Sequence, residues 1–388
     1  MRLDREGVRI AQLANFVGPS SGGMKTAVRA LGAGYVAAGA ERMLVVPGPC
    51  DARTATEHGA VVQLRAPRVG GGYRLIVEPW RVVEALEEFG PTSIEVSDKS
   101  TLLPVTSWAR RRDIPTLLFS HERLDAMLEL RTGWRVGLGT PVDVLNRTLV
   151  RRFDGVVVTS DFARREFHDL ALAAGTPLHR IALGVDLDTF RPTVSPGVPV
   201  PGAARGPLRL VHVGRLSREK SPQLSVATAL HLHRSGHDVH LDVYGDGPQR
   251  ADLVRLAQGT GAVTFHGHVD DRSTLSRLVA GADVALSTCP GETFGLAVLE
   301  ALASGTPVVT ADVGGARELV DEQSGAWAPA DPRRLARAVL AVAARPEAAR
   351  RAGARRRAEQ FGWDRTVAAM LALHREIGEV GLASGVRA

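Results

Sequence analysis

The chain has 388 residues, 44% of them hydrophobic, and a formal net charge of +6 spread over both halves with no basic tail and no reader motif, which argues against a nucleic-acid partner. That length predicts two domains rather than one core, no apolar run approaches the ~20 residues that span a bilayer, and the charged start Met1-Arg2-Leu3-Asp4-Arg5-Glu6-Gly7 lacks the apolar region of a signal peptide. Two cysteines, Cys50 and Cys289, exclude a disulfide framework and a thiolate metal cage, and a cytoplasmic location is expected.

Strand-like and helix-like segments alternate along the chain. Val8–Ala14 reads as a strand and Gly23–Ala38 as a helix, with the Gly22-Gly23 turn at its start. Met43–Val46, Ser93–Val96, Thr116–Phe119 and Val156–Thr159 follow as strands, with helices at Trp80–Phe89 and Thr106–Arg112. Residues 191–206 carry a density of Pro and Gly that no regular element survives, so they read as a linker. Alternation then restarts. Strands are expected at Leu208–Val213, His240–Tyr244, Val263–His266, Val284–Ser287 and Pro307–Thr310. Helices are expected at Pro222–Ser235, Arg250–Gln258, Asp271–Ala280, Leu296–Ala303, Pro346–Gln360 and Asp364–Val380. The fold class is therefore α/β, with two Rossmann-like doubly wound domains facing across a cleft. Their boundaries fall at 1–190 and 207–363, and helix 364–388 is expected to pack back on the first domain. Ligands of such sheets bind beyond the carboxyl ends of the strands.

Two runs carry the chemistry. In Gly291-Glu292-Thr293-Phe294-Gly295-Leu296-Ala297-Val298-Leu299-Glu300, seven residues separate two acids around a turn that opens a helix. Glu292 stands before the helix and Glu300 is expected about two turns into it. Free N–H groups at Phe294, Gly295 and Leu296 make a phosphate-ready helix start. In Gly214-Arg215-Leu216-Ser217-Arg218-Glu219-Lys220, two cations follow a strand, and Arg215 and Lys220 suit phosphate oxygens as a planar fork and a point charge. Together the runs suggest a sugar attached to a diphosphate. The glycines Gly22 and Gly23 let backbone approach such a ligand closely.

At this point the chain resembles a retaining glycosyltransferase of the GT-B fold, from the large family of group 1 (GT4-type) transferases. The match rests on five motifs in order: Gly22-Gly23, His121, Gly184-Val185-Asp186 with Phe190, Gly214–Lys220, and Glu292–Glu300. Gly305-Thr306-Pro307-Val308-Val309 and Trp363 also fit. Ala14-Asn15-Phe16 with Ser21, Glu95-Val96-Ser97-Asp98 and Ser120-His121-Glu122-Arg123-Leu124-Asp125 resemble, more narrowly, the actinobacterial GDP-mannose-dependent phosphatidylinositol-mannoside mannosyltransferases.

The resemblance implies roles. His121, Arg215, Lys220 and Glu292 are the catalytic candidates, with Glu292 holding donor-sugar hydroxyls and His121 touching the sugar near its reacting carbon. Gly22, Gly23, Val269, Asp271, Phe294, Gly295, Leu296 and Glu300 would bind the donor, Glu300 through ribose hydroxyls and Asp271 through guanine; a helix cap is the plain alternative for Asp271. Lys25, Arg68 and Tyr73, with the segment Arg123–Thr140, would shape the acceptor site. No second carboxylate stands opposite Glu292 as a glycosidase pair requires, and the family suggests front-face attack. Asp186-Leu187-Asp188 has the form of a metal-binding D-x-D but reads as a turn and cap, so neither cofactor nor metal is expected. The expected reaction is transfer of mannose from GDP-mannose to a phosphatidylinositol-mannoside-like lipid. The alternatives are a UDP-sugar transferase with a soluble acceptor and a nucleotide-sugar epimerase. Partners are then the nucleotide sugar and the acceptor, and the arginine clusters at 110–112, 147–152 and 164–165 could meet anionic lipid at the inner face of the membrane.

Overall fold

The computed structural model describes residues 7–15, 22–69, 73–122, 139–192 and 206–385. Most of the expected linker lies outside them, as do Phe16, Ser21, Arg123, Leu124 and Asp125 of the motifs and most of the segment expected at the acceptor site. The described residues form two compact units, one within Met1–Asp125, Arg135–Leu183 and Trp363–Ala388, the other within Gly184–Gly362.

The first unit is built on an eight-stranded sheet. Its strands are β1 (Arg9–Leu13), β2 (Glu41–Gly48), β3 (Ala52–Thr56), β4 (Gly59–Arg65), β5 (Ser93–Val96), β6 (Thr116–Ser120), β7 (Gly155–Val158) and β8 (Leu178–Arg180). The order is β3-β4-β2-β1-β5-β6-β7-β8, parallel except where β3 pairs antiparallel with β4. The central strands β5, β6 and β7 are buried at every position, as continuous apolar runs covered on both faces should be. Helix Gly23–Ala37 buries Ala27, Val28, Leu31 and Tyr35, one stripe at helical spacing. The C-terminal helix Trp363–Gly385 packs against it, and His374 Nδ1 of that helix lies 2.9 Å from Ser93 Oγ.

Beneath that contact is a buried polar network. Glu95 accepts from Gln12 Nε2 at 3.1 Å and from the Tyr35 hydroxyl at 2.9 Å, and it faces His374 Nε2 at 3.5 Å. Arg42 donates through Nε to Gln12 Oε1 at 2.8 Å. Burial raises the Glu95 carboxyl, but His374, Tyr35 and Gln12 together bring it below its usual range.

The second unit holds a six-stranded, wholly parallel sheet. Its strands are β9 (Leu208–Val213), β10 (Val239–Tyr244), β11 (Val263–Gly267), β12 (Val284–Ser287), β13 (Val308–Ala311) and β14 (Gly325–Ala328), in the order β11-β10-β9-β12-β13-β14. Its core gathers Leu210, Leu230, Leu241, Val243, Val284 and Val309 under the helices Pro222–Arg234 and Pro332–Ala343. This unit begins at Gly184, ahead of the boundary at 190 expected from the sequence. The reason is local: Val185 bridges to Gly362, and Arg355 Nη1 donates to the carbonyls of Leu187, Phe190 and Ala303 at 2.9–3.1 Å. No helix among the described residues is long and apolar enough to cross a membrane.

Candidate functional site

In the second unit the candidates gather at the carboxyl edge of the sheet, after three strands. Behind β9 the chain turns at Gly214 and plugs Leu216 into the core, its amide donating to the Asp246 carbonyl at 2.9 Å. Gly245 runs directly against this turn at φ +137°, and a Cβ there would fall 1.9 Å from the Gly214 oxygen. The turn is thus fixed by backbone and leaves Arg215 and Lys220 partly exposed. Arg215 Nη2 lies 3.0 Å from Glu219 Oε1. After the short 3₁₀ turn Arg218–Lys220, Lys220 Nζ donates to both oxygens of Glu292 at 2.9 and 2.8 Å.

Glu292 comes from the loop after β12. The Cys289 thiol donates to the Glu219 carbonyl at 3.0 Å, tying this loop to the Arg215 loop, and burial pushes that thiol up to about 11. The Glu292 carbonyl accepts from Gly315 N at 2.6 Å. Phe294 is buried, and Gly295 enters helix Leu296–Ala303 in the left-handed region at φ +101°. Only glycine adopts that conformation at low cost. Leu296 opens the helix four residues after Glu292, so the helix start follows directly on the acid that Lys220 holds.

Glu300 sits just over one turn into this helix, not two, because the helix begins at Leu296. It is only 9% exposed, and its Oε1 accepts from Arg272 Nη2 at 2.7 Å. Burial pushes the Glu300 carboxyl up and Arg272 opposes that shift. Sequence reasoning missed Arg272. Its one signal was the acid on an apolar helix, which needs a cation somewhere.

Val269 is half-buried in the loop after β11, and Asp271 caps helix Arg272–Ala280 by accepting from Thr274 N at 2.7 Å. The Thr274 side chain and amide hold the Asp271 carboxyl below its usual range. The capping alternative for Asp271 is therefore the contact that the structure contains. Asp186 accepts from the amides of Asp188 and Thr189 at 3.1 and 2.9 Å, a local turn of its own. Burial raises its carboxyl, but the Thr189 and Asp188 donors bring it below the usual range.

In the first unit the candidates lie at the carboxyl ends of β1, β4 and β6. His121 follows β6, stacks on Phe119 with ring centroids 4.4 Å apart, and places Nε2 3.0 Å from Ser97 Oγ at the end of β5. Burial pushes His121 down to about 4, with nearby Lys99 adding to that and Glu95 opposing it. The imidazole is then neutral at pH 7, able to pair as donor or acceptor rather than as a cation. Lys99 donates to the Glu122 carbonyl at 2.6 Å and pairs with buried Glu166 at 3.3 Å, which pins the residue after His121.

Gly22 precedes helix Gly23–Ala37 at φ −83°, and nothing among the described residues lies within 4 Å of a Cβ built there. Lys25 is half-buried on the first turn of the same helix. Arg68 bridges Arg74 after β4, and Val69 N donates to the Tyr73 carbonyl at 2.8 Å, so the neighbours of Arg68 and Tyr73 are joined by backbone. The arginine clusters are partly structural: Arg110 Nη2 donates to the carbonyls of Arg151 and Arg152, and Arg112 pairs with Glu87. The structure thus joins Lys220 to Glu292, sets Arg215 against Glu219 on the loop that carries Lys220, and places Glu300, Val269 and Asp271 at the same sheet edge.

Comparison with known proteins identifies the family and the fold. Residues 207–345 match the family described as glycosyl transferases group 1, and residues 22–184 match the glycosyl transferase 4-like domain. The chain is 41% identical over 373 residues to the GDP-mannose-dependent alpha-(1-6)-phosphatidylinositol dimannoside mannosyltransferase of Mycobacterium tuberculosis (strain ATCC 25177 / H37Ra), covering 94% of this chain and 95% of that one. It is 31% identical over 286 residues to a glycogen synthase of Mycobacterium tuberculosis (strain CDC 1551 / Oshkosh), covering 70% and 66%. Among solved structures, sucrose-phosphate synthase from Thermosynechococcus elongatus superposes with a TM-score of 0.79 at 23% identity, covering 96% and 100%. The catalytic domain of starch synthase IV from Arabidopsis thaliana, bound to ADP and acarbose, gives 0.71 at 13% identity, again covering 96% and 100%.

Proposed function

Because the chain belongs to the group 1 glycosyltransferases, with the GT-B fold, we propose that it moves mannose, with retention, from GDP-mannose to a phosphatidylinositol-mannoside-like lipid. The contact that carries the chemical part of this reading is Lys220 on both oxygens of Glu292, beside a glycine-entered helix start. The sugar and acceptor follow from the near full-length similarity to the mycobacterial mannosyltransferase.

The bond that breaks joins the anomeric carbon to the β-phosphate oxygen. Positive charge grows on the ring and negative charge on the leaving diphosphate. Arg215, Lys220 and the N–H groups of Phe294, Gly295 and Leu296 act on the second charge, where preorganised donors help most. Glu219 and Glu292 hold the two cations meanwhile, and the diphosphate takes over the charge of both acids. Glu292 then orients the hexose hydroxyls, Glu300 the ribose, and neutral His121 the sugar near its reacting carbon. The acceptor hydroxyl attacks from the leaving-group face. The new carbon–oxygen bond forms as the old one breaks, and the departing phosphate oxygen takes the acceptor's proton. Lys25, Arg68 and Tyr73 are assigned to an anionic acceptor headgroup, with anionic lipid at the inner face of the membrane as the docking surface.

Arg215 and Lys220 supply the positive charge that a divalent metal supplies in other transferases. Activity is expected to survive EDTA, and loss of turnover restored by Mg²⁺ or Mn²⁺ contradicts this assignment. The donor is tested by calorimetric titration of the full chain with GDP and with UDP. Clear preference for GDP is expected; preference for UDP overturns the donor assignment and favours a UDP-sugar transferase.

A further inference from the structure

The Gly184-Val185-Asp186…Phe190 segment has no part in the chemistry above, yet it is held with unusual care. Arg355 Nη1 donates to the Leu187 and Phe190 carbonyls and also to Ala303 O at the end of the helix that carries Glu300. Phe190 is fully buried and presents its ring to the Arg272 guanidinium, whose carbon lies 4.8 Å from the ring centroid. Asp186 feels the charge of the same guanidinium. On its other side Arg272 reaches Glu300 at 2.7 Å.

We propose that Arg272, seated on the Phe190 ring, is a positioning residue that holds the Glu300 carboxylate in place for the nucleotide's ribose, and that the Gly184–Phe190 segment exists to seat it. The inference rests on the assignment of Glu300 to the ribose made above and adds the device that orients it.

Four observations support it. Glu300 lies on an otherwise apolar helix and is nearly buried, so an ionised carboxylate there requires a counter-charge. A single planar cation in contact with one of two carboxylate oxygens leaves the other oxygen for a second partner. The ring face fixes the guanidinium plane without consuming its N–H donors. Arg272 also opens helix Arg272–Ala280, whose cap is Asp271, so the turn assigned to the base and the cation assigned to the ribose acid are consecutive residues.

The test compares GDP with 2′,3′-dideoxy-GDP by calorimetry on the full chain. In the wild type the dideoxy analogue is expected to bind about tenfold more weakly, the loss of a charge-assisted hydrogen bond. In Arg272→Met, GDP binding should weaken about tenfold and the ratio between the two nucleotides should fall to about one. Arg272→Lys should restore part of the discrimination. Glu300→Gln should lose the ratio by itself, and adding Arg272→Met to it should change affinity little further. Arg272→Gln, polar but uncharged, gives the same readout should the Met variant fold poorly. A tenfold wild-type ratio that persists in the Arg272 variants overturns the role of Arg272 alone. A wild-type ratio near one, with GDP still bound, overturns the ribose assignment of Glu300 and the inference with it.

Discussion

Lys220 and Glu292 touch through two short contacts while remaining 36% and 16% exposed. Such a pair contributes about 0–1 kcal/mol to folding. Lys220→Ala should therefore leave the melting temperature within a few degrees while lowering kcat/KM by roughly 10²-fold or more, the cost of losing one preorganised charge donor. Equal losses of stability and turnover contradict this. Glu292→Gln should also lower kcat, and intact-mass spectrometry should find no sugar adduct on the chain. His121 gives a pH prediction. A histidine that burial holds down to about 4 contributes stability above its unfolded value near 6.5, and that contribution is lost as pH falls from there through about 4. An NMR titration of the His121 ring should show it neutral throughout pH 5–8; a midpoint near 6.5 contradicts the burial. At this scale the sequence announced Arg215, Lys220, Glu292 and His121, because short motifs fix which loop each side chain leaves. Arg272 was not announced, since its partner lies 28 residues away and only folding joins them.

Among elements, the cap at Asp271 decides how the base loop should be read. Removing a carboxylate cap costs about 1 kcal/mol. Asp271→Ala should lower thermal stability by that order, and if the carboxylate also reads guanine, the preference for GDP over UDP should shrink as well. A stability loss with an unchanged nucleotide preference assigns Asp271 to capping alone. Gly295 makes a sharper case. At φ +101°, with Ala316 Cβ 3.2 Å from the position a methyl group would take, Gly295→Ala should cost at least about 1 kcal/mol and displace the helix start proposed to meet the phosphates. Thermal unfolding with GDP titration separates the two effects. Strands buried on both faces, such as β5 to β7, were legible as apolar runs. The β3–β4 hairpin was not, because β3 is an edge strand exposed at every residue and carries no alternation. The helix expected at Thr106–Arg112 starts earlier, at Leu103, where Pro104 takes the first turn that a proline tolerates.

At the scale of the whole chain, each unit is built on a sheet that is parallel apart from the β3–β4 pair, with its candidate residues beyond the carboxyl ends of the strands. That rule made the fold legible from alternation alone. The substrate was legible only through resemblance, since a diphosphate-gripping edge serves many nucleotide sugars. The most direct test is a donor screen with the purified full chain, radiolabelled GDP-mannose and UDP-hexoses, and a lipid extract containing phosphatidylinositol mannosides, with EDTA present and the products separated by chromatography. Label should pass from GDP-mannose into a larger mannolipid with the α configuration kept. Transfer from a UDP-sugar alone, or release of free or isomerised sugar without any acceptor, would contradict the account.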